Sequence, residues 1–166
     1  PLAESTRADV ERTALGAVDV CDAVVLSDYG KGVLSERTVA SLIDRACASG
    51  KPVIVDPKGN NFSRYRGADV VTPNCAELAD AAAMVVDDEE SIVVACRKLI
   101  SDFGIKSILV TRSQKGMSLI DATGARHVEV KAQEVFDVSG AGDTVVAAFS
   151  AAIAVGIEPL DAVSLA

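Results

Sequence analysis

The chain has 166 residues, 49% hydrophobic but only 4% aromatic, and a formal net charge of −8. That length suits one domain with a true core, and apolar content supplied mostly by Ala and Val favours packed α/β layers over a β-sandwich. The acidity leaves no basic face to grip nucleic acid or an anionic membrane, so neither is an expected partner, and any phosphate must be held by local devices: backbone amides, single Lys or Arg residues, metal ions.

Residues 5–18 follow a helical pattern, and the short apolar run 23–26 reads as a strand buried on both faces. Ser35 then caps a helix that ends at Gly50. Residues 53–55 form the next strand and 62–66 a turn or single helical turn. Residues 70–72 are a strand, Asn74 starts a helix to about residue 83, and Asp87 or Asp88 starts another to about residue 103. A strand at 108–110 precedes a hairpin made by 117–120 and 126–130 around Asp121-Ala-Thr-Gly124. The last full helix runs over 141–155. This order predicts an α/β fold, a mainly parallel sheet with helices on both faces and an antiparallel hairpin at one edge.

The cysteines, Cys21, Cys47, Cys75 and Cys96, show no zinc spacing, and His127 is the one histidine. Cys47 and Cys96 fall in helical patterns and read as small core hydrophobes; the pattern points to a reducing, cytoplasmic compartment. No signal peptide is visible. The apolar stretch 144–157 falls short of the roughly 20 residues needed to span a bilayer and suits a buried core helix. Pro1 at the start, and Ala166 inside a helix opened by Pro159, lead us to expect a piece of a longer polypeptide.

Each parallel strand delivers polar residues at its carboxyl end: Ser27-Asp-Tyr-Gly-Lys31, Asp56-Pro-Lys58, Pro73-Asn74 with Glu77, and Thr111-Arg-Ser113. In open α/β sheets ligands bind at that edge, so a crevice is expected there. Lys31, Lys58 and Arg112 would balance phosphate charge. Asn74-x-x-Glu77 has two readings, a capping box and a seat for hydrated Mg²⁺, which prefers oxygen ligands and keeps several waters.

The strongest signal is Gly140-Ala-Gly-Asp143, where an irregular segment gives way to an apolar helix. Helix N-termini present unpartnered N–H groups that attract anions, and glycine lets the backbone approach a phosphate closely. Asp143 beside such a cradle reads as a helix cap or as the base that takes a proton from an attacking hydroxyl. A rival pattern, Gly30-x-Gly32 with Asp56 about 20 residues on, imitates a dinucleotide fingerprint, but Ser35 occupies its third glycine position. His127 reads as structural. No P-loop is present.

Together these residues resemble the ribokinase-like (PfkB) carbohydrate kinases. Asp137-Val-Ser-Gly-Ala-Gly-Asp143 is similar to that family's C-terminal signature, Asn74-x-x-Glu77 to its metal and phosphate motif, and Thr111-Arg-Ser-Gln-Lys-Gly116 to its nucleotide-side turn. Leu26-Ser-Asp-Tyr-Gly-Lys-Gly-Val-Leu34, Val55-Asp-Pro-Lys-Gly59, Phe62-Ser-Arg-Tyr-Arg-Gly67 and Gln133-Glu-Val-Phe-Asp137 narrow the resemblance to the kinase domains of bacterial bifunctional heptose-7-phosphate kinase/ADP-heptose synthases. The resemblance implies transfer of the ATP γ-phosphoryl group to O1 of D-glycero-β-D-manno-heptose 7-phosphate in ADP-heptose biosynthesis. It implies Asp143 as catalytic base, the amides of Gly140, Ala141 and Gly142 as anion hole, Asn74 and Glu77 as the Mg²⁺-phosphate pair acting through water, and Thr111, Arg112 and Gly116 on the nucleotide side. Contacts of Lys31 and Lys58 with phosphate are inferred from the residues alone. Residues 1–166 would be the C-terminal part of such a kinase domain, without its lid and N-terminal half, and weakly active or inactive alone. The resemblance admits a homodimer of the full-length parent and a fused nucleotidyltransferase domain. The alternatives are a kinase of another sugar, a non-catalytic nucleotide-sensing module, or an NAD-type oxidoreductase domain using Gly30, Gly32 and Asp56.

Overall fold

The computed structural model describes residues 3–129 and 140–166. Val130 of the expected hairpin, the segment Gln133-Glu-Val-Phe-Asp137, and Asp137, Val138 and Ser139 of the glycine-rich signature lie outside the described residues.

Six strands form one sheet in sequential order: β1 (Val24–Ser27), β2 (Val53–Asp56), β3 (Val70–Val71), β4 (Ser107–Thr111), β5 (Met117–Asp121) and β6 (Ala125–Val128). Strands β1 to β4 run parallel. The β4–β5 and β5–β6 pairs are antiparallel, which makes the expected hairpin edge. Six helices accompany them among the described residues: α1 (Glu4–Val18), α2 (Glu36–Ala48), α3 (Cys75–Ala82), α4 (Glu89–Phe103), α5 (Ala141–Ala154) and α6 (Pro159–Val163); a 3-10 turn spans Phe62–Tyr65.

The alternation of each strand assigns its side chains to two separate cores. Val53 and Val55 of β2, Val71 of β3 and Ile108 and Val110 of β4 pack with α2, the 3-10 turn, α3 and α4. Ile54, Val70, Leu109 and Leu119 pack on the opposite face with Val146, Phe149 and Ala152 of α5 and with α6. Residues buried on both faces explain why these strands read as continuous apolar runs. The crossover helices share one face, and α5 and α6 cover the other.

Local chemistry sets the helix boundaries. The Ser35 hydroxyl accepts the Thr38 N–H, as expected of a cap. Asp88, not Asp87, caps α4, in a reciprocal box with Ser91. Gly104 closes α4 in the left-handed region at φ 64°. Two expectations need correcting. Cys96 is buried but Cys47 is exposed, because it falls on the outer side of α2. The apolar helix α5 is not buried all round: Gly142, Asp143, Thr144, Ala147 and Ala151 are exposed, and packing is confined to the stripe containing Val146, Phe149 and Ala152. Small alanines allow such a helix a solvent face at little cost. Helix α6 closes at Val163, with Ser164 as its C-terminal cap. Among the described residues no helix is long and apolar enough to cross a membrane.

Candidate active site

The carboxyl ends of β1 to β4 converge on a cleft of about 230 Å³. Its walls include Asp28 and Tyr29 after β1, Asp56 and Lys58 at the end of β2, Thr72 after β3, and Thr111 ending β4. Helix α3 contributes Asn74 and Glu77, and α5 contributes Gly142 and Asp143 from the other face of the sheet.

Gly140 begins α5 at φ 78°, a left-handed turn that glycine takes without strain. Its carbonyl receives both the backbone N–H and the hydroxyl of Thr144, each at 3.0 Å. Asp143 stands in the first turn of α5, where a carboxylate suits the helix dipole, and its exposed side chain faces the cleft. A Cβ added at Gly142 would meet nothing within 4 Å, so the space over this helix end is open. First-turn amides of a helix have no intrahelical acceptor, so those of Ala141, Gly142 and Asp143 point their donors and the dipole towards that space.

Both readings of Asn74-x-x-Glu77 concern the same atoms. The Asn74 Oδ1 accepts the Glu77 N–H at 2.9 Å, and the Glu77 Oε2 accepts the Asn74 N–H at 3.1 Å, a full capping box. A parallel bridge sets Asn74 beside Thr111. The other oxygen of Glu77, Oε1, receives Lys58 Nζ at 3.1 Å. The box thus fixes the pair's orientation at the cleft and leaves lone pairs on each oxygen for water.

Ser27 pairs with Asp56 across β1 and β2. The Asp56 carboxyl is pushed up to about 6, first by burial and then by the negative charges of Glu77 and Asp143; Lys58 and the Ser27 hydroxyl only partly offset this. Four carboxylates, Asp28, Asp56, Glu77 and Asp143, against one lysine make the cleft electronegative. Among the described residues no three carboxylate, thiol or imidazole groups converge closely enough to ligate a metal directly. Asn74 and Glu77 offer oxygen donors, the kind a hydrated divalent cation such as Mg²⁺ accepts through its waters.

Other expected site residues fall elsewhere. Arg112 lies on a neighbouring cleft of about 680 Å³, which shares Asn74 and Thr111 with the first. Its side chain is 5% exposed, and Nη1 donates to Glu89 Oε1 at 2.7 Å. This larger cleft carries Asp87, Asp88 and Glu89, and its described lining does not include the start of α5. Lys31 borders a trough of about 520 Å³ with Tyr29, Val33 and Leu34 rather than the Asp143 cleft. Gly116 lines none of these spaces. At φ 86° its missing Cβ would stand 1.9 Å from the Val128 carbonyl, so the hairpin backbone requires glycine there.

The sequence left Asp28, Tyr65 and Glu89 without a role, and gave Asp56 one only in the dinucleotide alternative. Asp28 and Asp56 share a signal, an acid at or just after the end of an apolar run; β1 itself is, among the described residues, an edge strand with Val25 45% exposed, not the strand buried on both faces that its run predicted. Tyr65 and Glu89 gave none, since their partners are remote in sequence.

Residues 2–166 match the profile of the pfkB family carbohydrate kinases. The chain belongs to that family. Two proteins named bifunctional protein HldE are similar to this PfkB-family chain over its full length: one from Mesorhizobium japonicum, 48% identical, and one from Paramagnetospirillum magneticum, 50% identical. The chain spans about a third of their length, 34% in both cases. Among solved structures, an Arabidopsis thaliana ribokinase complexed with ribose and ATP superposes with a TM-score of 0.78 at 26% identity, covering 90% of this chain and 48% of that one. Escherichia coli phosphofructokinase-2 in complex with potassium reaches 0.84 at 21% identity, covering 98% and 53%, a likeness of fold. The fold is ribokinase-like. The dinucleotide reading gains nothing from the structure: Gly30 and Gly32 precede a helix capped by Ser35, and Asp56 faces Glu77 and Asp143.

Proposed function

We propose that this PfkB-family chain carries the phosphoryl-transfer centre of an ATP-dependent sugar kinase acting on O1 of a heptose 7-phosphate. The observation that carries the reading is the presence of Asp143, at an uncapped glycine-rich helix start, in one cleft with the Asn74–Glu77 pair and Lys58. The motif resemblance to heptose-7-phosphate kinases, with 48% and 50% identity to two HldE proteins, supports the heptose as acceptor over other sugars. Residues 1–166 are read, from the motif resemblance, as the C-terminal part of a kinase domain; the chain covers 48% of the ribokinase chain. A cytoplasmic location, a homodimer and a fused nucleotidyltransferase belong to the same proposal for the complete protein.

Phosphoryl transfer needs positioning and charge stabilisation more than covalent help from the protein. Asp143 accepts the proton of the acceptor hydroxyl as it attacks. The first-turn amides of α5, with Gly140 and Gly142 clearing the approach, stabilise charge growing on the transferred group. Lys58 neutralises phosphate oxygens. Asn74 and Glu77 would hold Mg²⁺ through water, with the Asp56 charge close by, and the metal when bound would screen the polyphosphate. Thr111 and Arg112 border the nucleotide's path, and Lys31 meets the acceptor's phosphate from the adjoining trough.

The test is a coupled ADP-release assay of the complete gene product with hexose, pentose and heptose phosphates. Asp143→Asn is expected to lower kcat by about 10²–10⁴ while ATP still binds. Near wild-type turnover in that variant, or no turnover by the wild type with any sugar phosphate, would refute the reading.

A further inference from the structure

Beneath the cleft lies a hydrogen-bonded chain that packing alone does not explain. Tyr65 is fully buried in the 3-10 turn. Phe62, in the same turn, packs edge-on against it at 5.8 Å and fills the core without any polar atom. The Tyr65 hydroxyl is nevertheless used twice. It accepts the Lys58 backbone N–H at 3.2 Å and donates to Asp28 Oδ2 at 2.8 Å.

Asp28 is itself 5% exposed. Its Oδ1 accepts the Gly30 N–H at 2.8 Å, and Arg64 Nη1 lies 3.2 Å from Oδ2. Arg64 also donates to the Leu34 carbonyl and stands 5.5 Å from the Tyr65 ring centre. Burial pushes the phenol up to about 12, so it keeps its proton and stays a donor to the carboxylate. One buried hydroxyl therefore ties the loop after β1 to the loop after β2. Both loops reach the cleft, through Asp28 and Tyr29 and through Lys58. They also touch: a Cβ on Gly30 would lie 3.6 Å from Lys58 Cγ. The Lys58 ammonium completes the line 3.1 Å from Glu77.

We propose that Tyr65 is a positioning residue for the transfer centre, its hydroxyl joining Asp28 to the Lys58 backbone so that the lysine stands at Glu77 in register with Asp143. This rests on the kinase reading above. Removing the hydroxyl takes away the acceptor of the Lys58 N–H and leaves Asp28 Oδ2 to Arg64 alone, and the loop carrying the cation loses its fixed height above the sheet. Misplacing a charged group by a fraction of an ångström costs turnover more than ground-state affinity.

The experiment is a double-mutant cycle in the complete gene product, with Tyr65→Phe, Lys58→Met and both together. The readouts are kcat, the KM for ATP and for the sugar phosphate, and the melting temperature. Tyr65→Phe is expected to lower kcat roughly 10-fold with both KM values within about twofold. Adding it to Lys58→Met should lower kcat by less than about twofold more, because the lysine it serves is gone. A wild-type kcat in Tyr65→Phe, or full multiplicative effects in the double variant, would overturn the proposal even with the kinase active. If Tyr65→Phe does not fold, the same cycle with Asp28→Asn decides by the same two criteria. Absence of ADP release from the wild type would instead overturn the kinase reading.

Discussion

Asp56 should make the folded chain less stable as the solution turns from acid to neutral. Its carboxyl titrates at about 6 in the fold against an ordinary 3.8, because it is half-buried and faces Glu77 and Asp143. A carboxyl raised in this way is protonated in both folded and unfolded chains below the unfolded value. Its stabilising contribution is complete there, fades as pH rises through about 6, and is gone above. The full shift corresponds to about 3 kcal/mol; solvent screening at a half-exposed group reduces this to about 1–1.5 kcal/mol. Asp56→Asn removes the penalty. It should raise the melting temperature at pH 7.5 by about 3–5 °C and leave pH 4 nearly unchanged. Asp88, Glu89 and Asp121 are held below the usual carboxylate range and pull the absolute curve the other way, so the quantity to read is the difference between variant and wild type. Thermal melts by circular dichroism at half-unit steps from pH 4 to 8 supply it. A difference that is flat across this range, or largest at pH 4, would refute the electrostatic account of the cleft.

Gly116→Ala should destabilise by more than about 2 kcal/mol, since it forces a positive φ and drives a methyl into the Val128 carbonyl; urea unfolding midpoints measure it, and a change under 0.5 kcal/mol would contradict the hairpin geometry. Asn74→Ala should cost about 1 kcal/mol through loss of the cap on α3, while Asn74→Asp retains it. Equal melting temperatures for all three proteins would show that the box contributes nothing.

The layered fold was legible because its signals are local. Ser35, Asn74 and Gly104 mark helix ends by their own hydrogen bonds or φ angles, and runs such as Val53-Ile-Val55 declare burial on both faces. The carboxyl-edge cleft followed from the same logic, since strand ends that deliver acids and lysines must meet there in a parallel sheet. The legible part stopped at pairings across long separations. Arg112 looked like a phosphate ligand from its place after β4, but Glu89, 23 residues away, already engages it. Tyr65 and Asp28 are 37 residues apart and meet only once β1 and the 3-10 turn are packed. Gly116 looked functional by its place in a motif, whereas the approach of β6 accounts for its missing side chain. Cys47 shows the limit of periodicity: a helical pattern gives a stripe, and one residue's step around the cylinder decides its exposure.

The two halves of the cleft ride on opposite sides of a single sheet. Asp143 is carried by a helix seated through Val146, Phe149 and Ala152, whereas Asn74 and Glu77 ride on one seated through Leu78 and Ala82. They behave like the jaws of a caliper whose beam is the pleated backbone between them. The width of the gap is thus written in the sizes of interior hydrocarbons, and trimming Phe149 would slide one jaw while the other stays clamped.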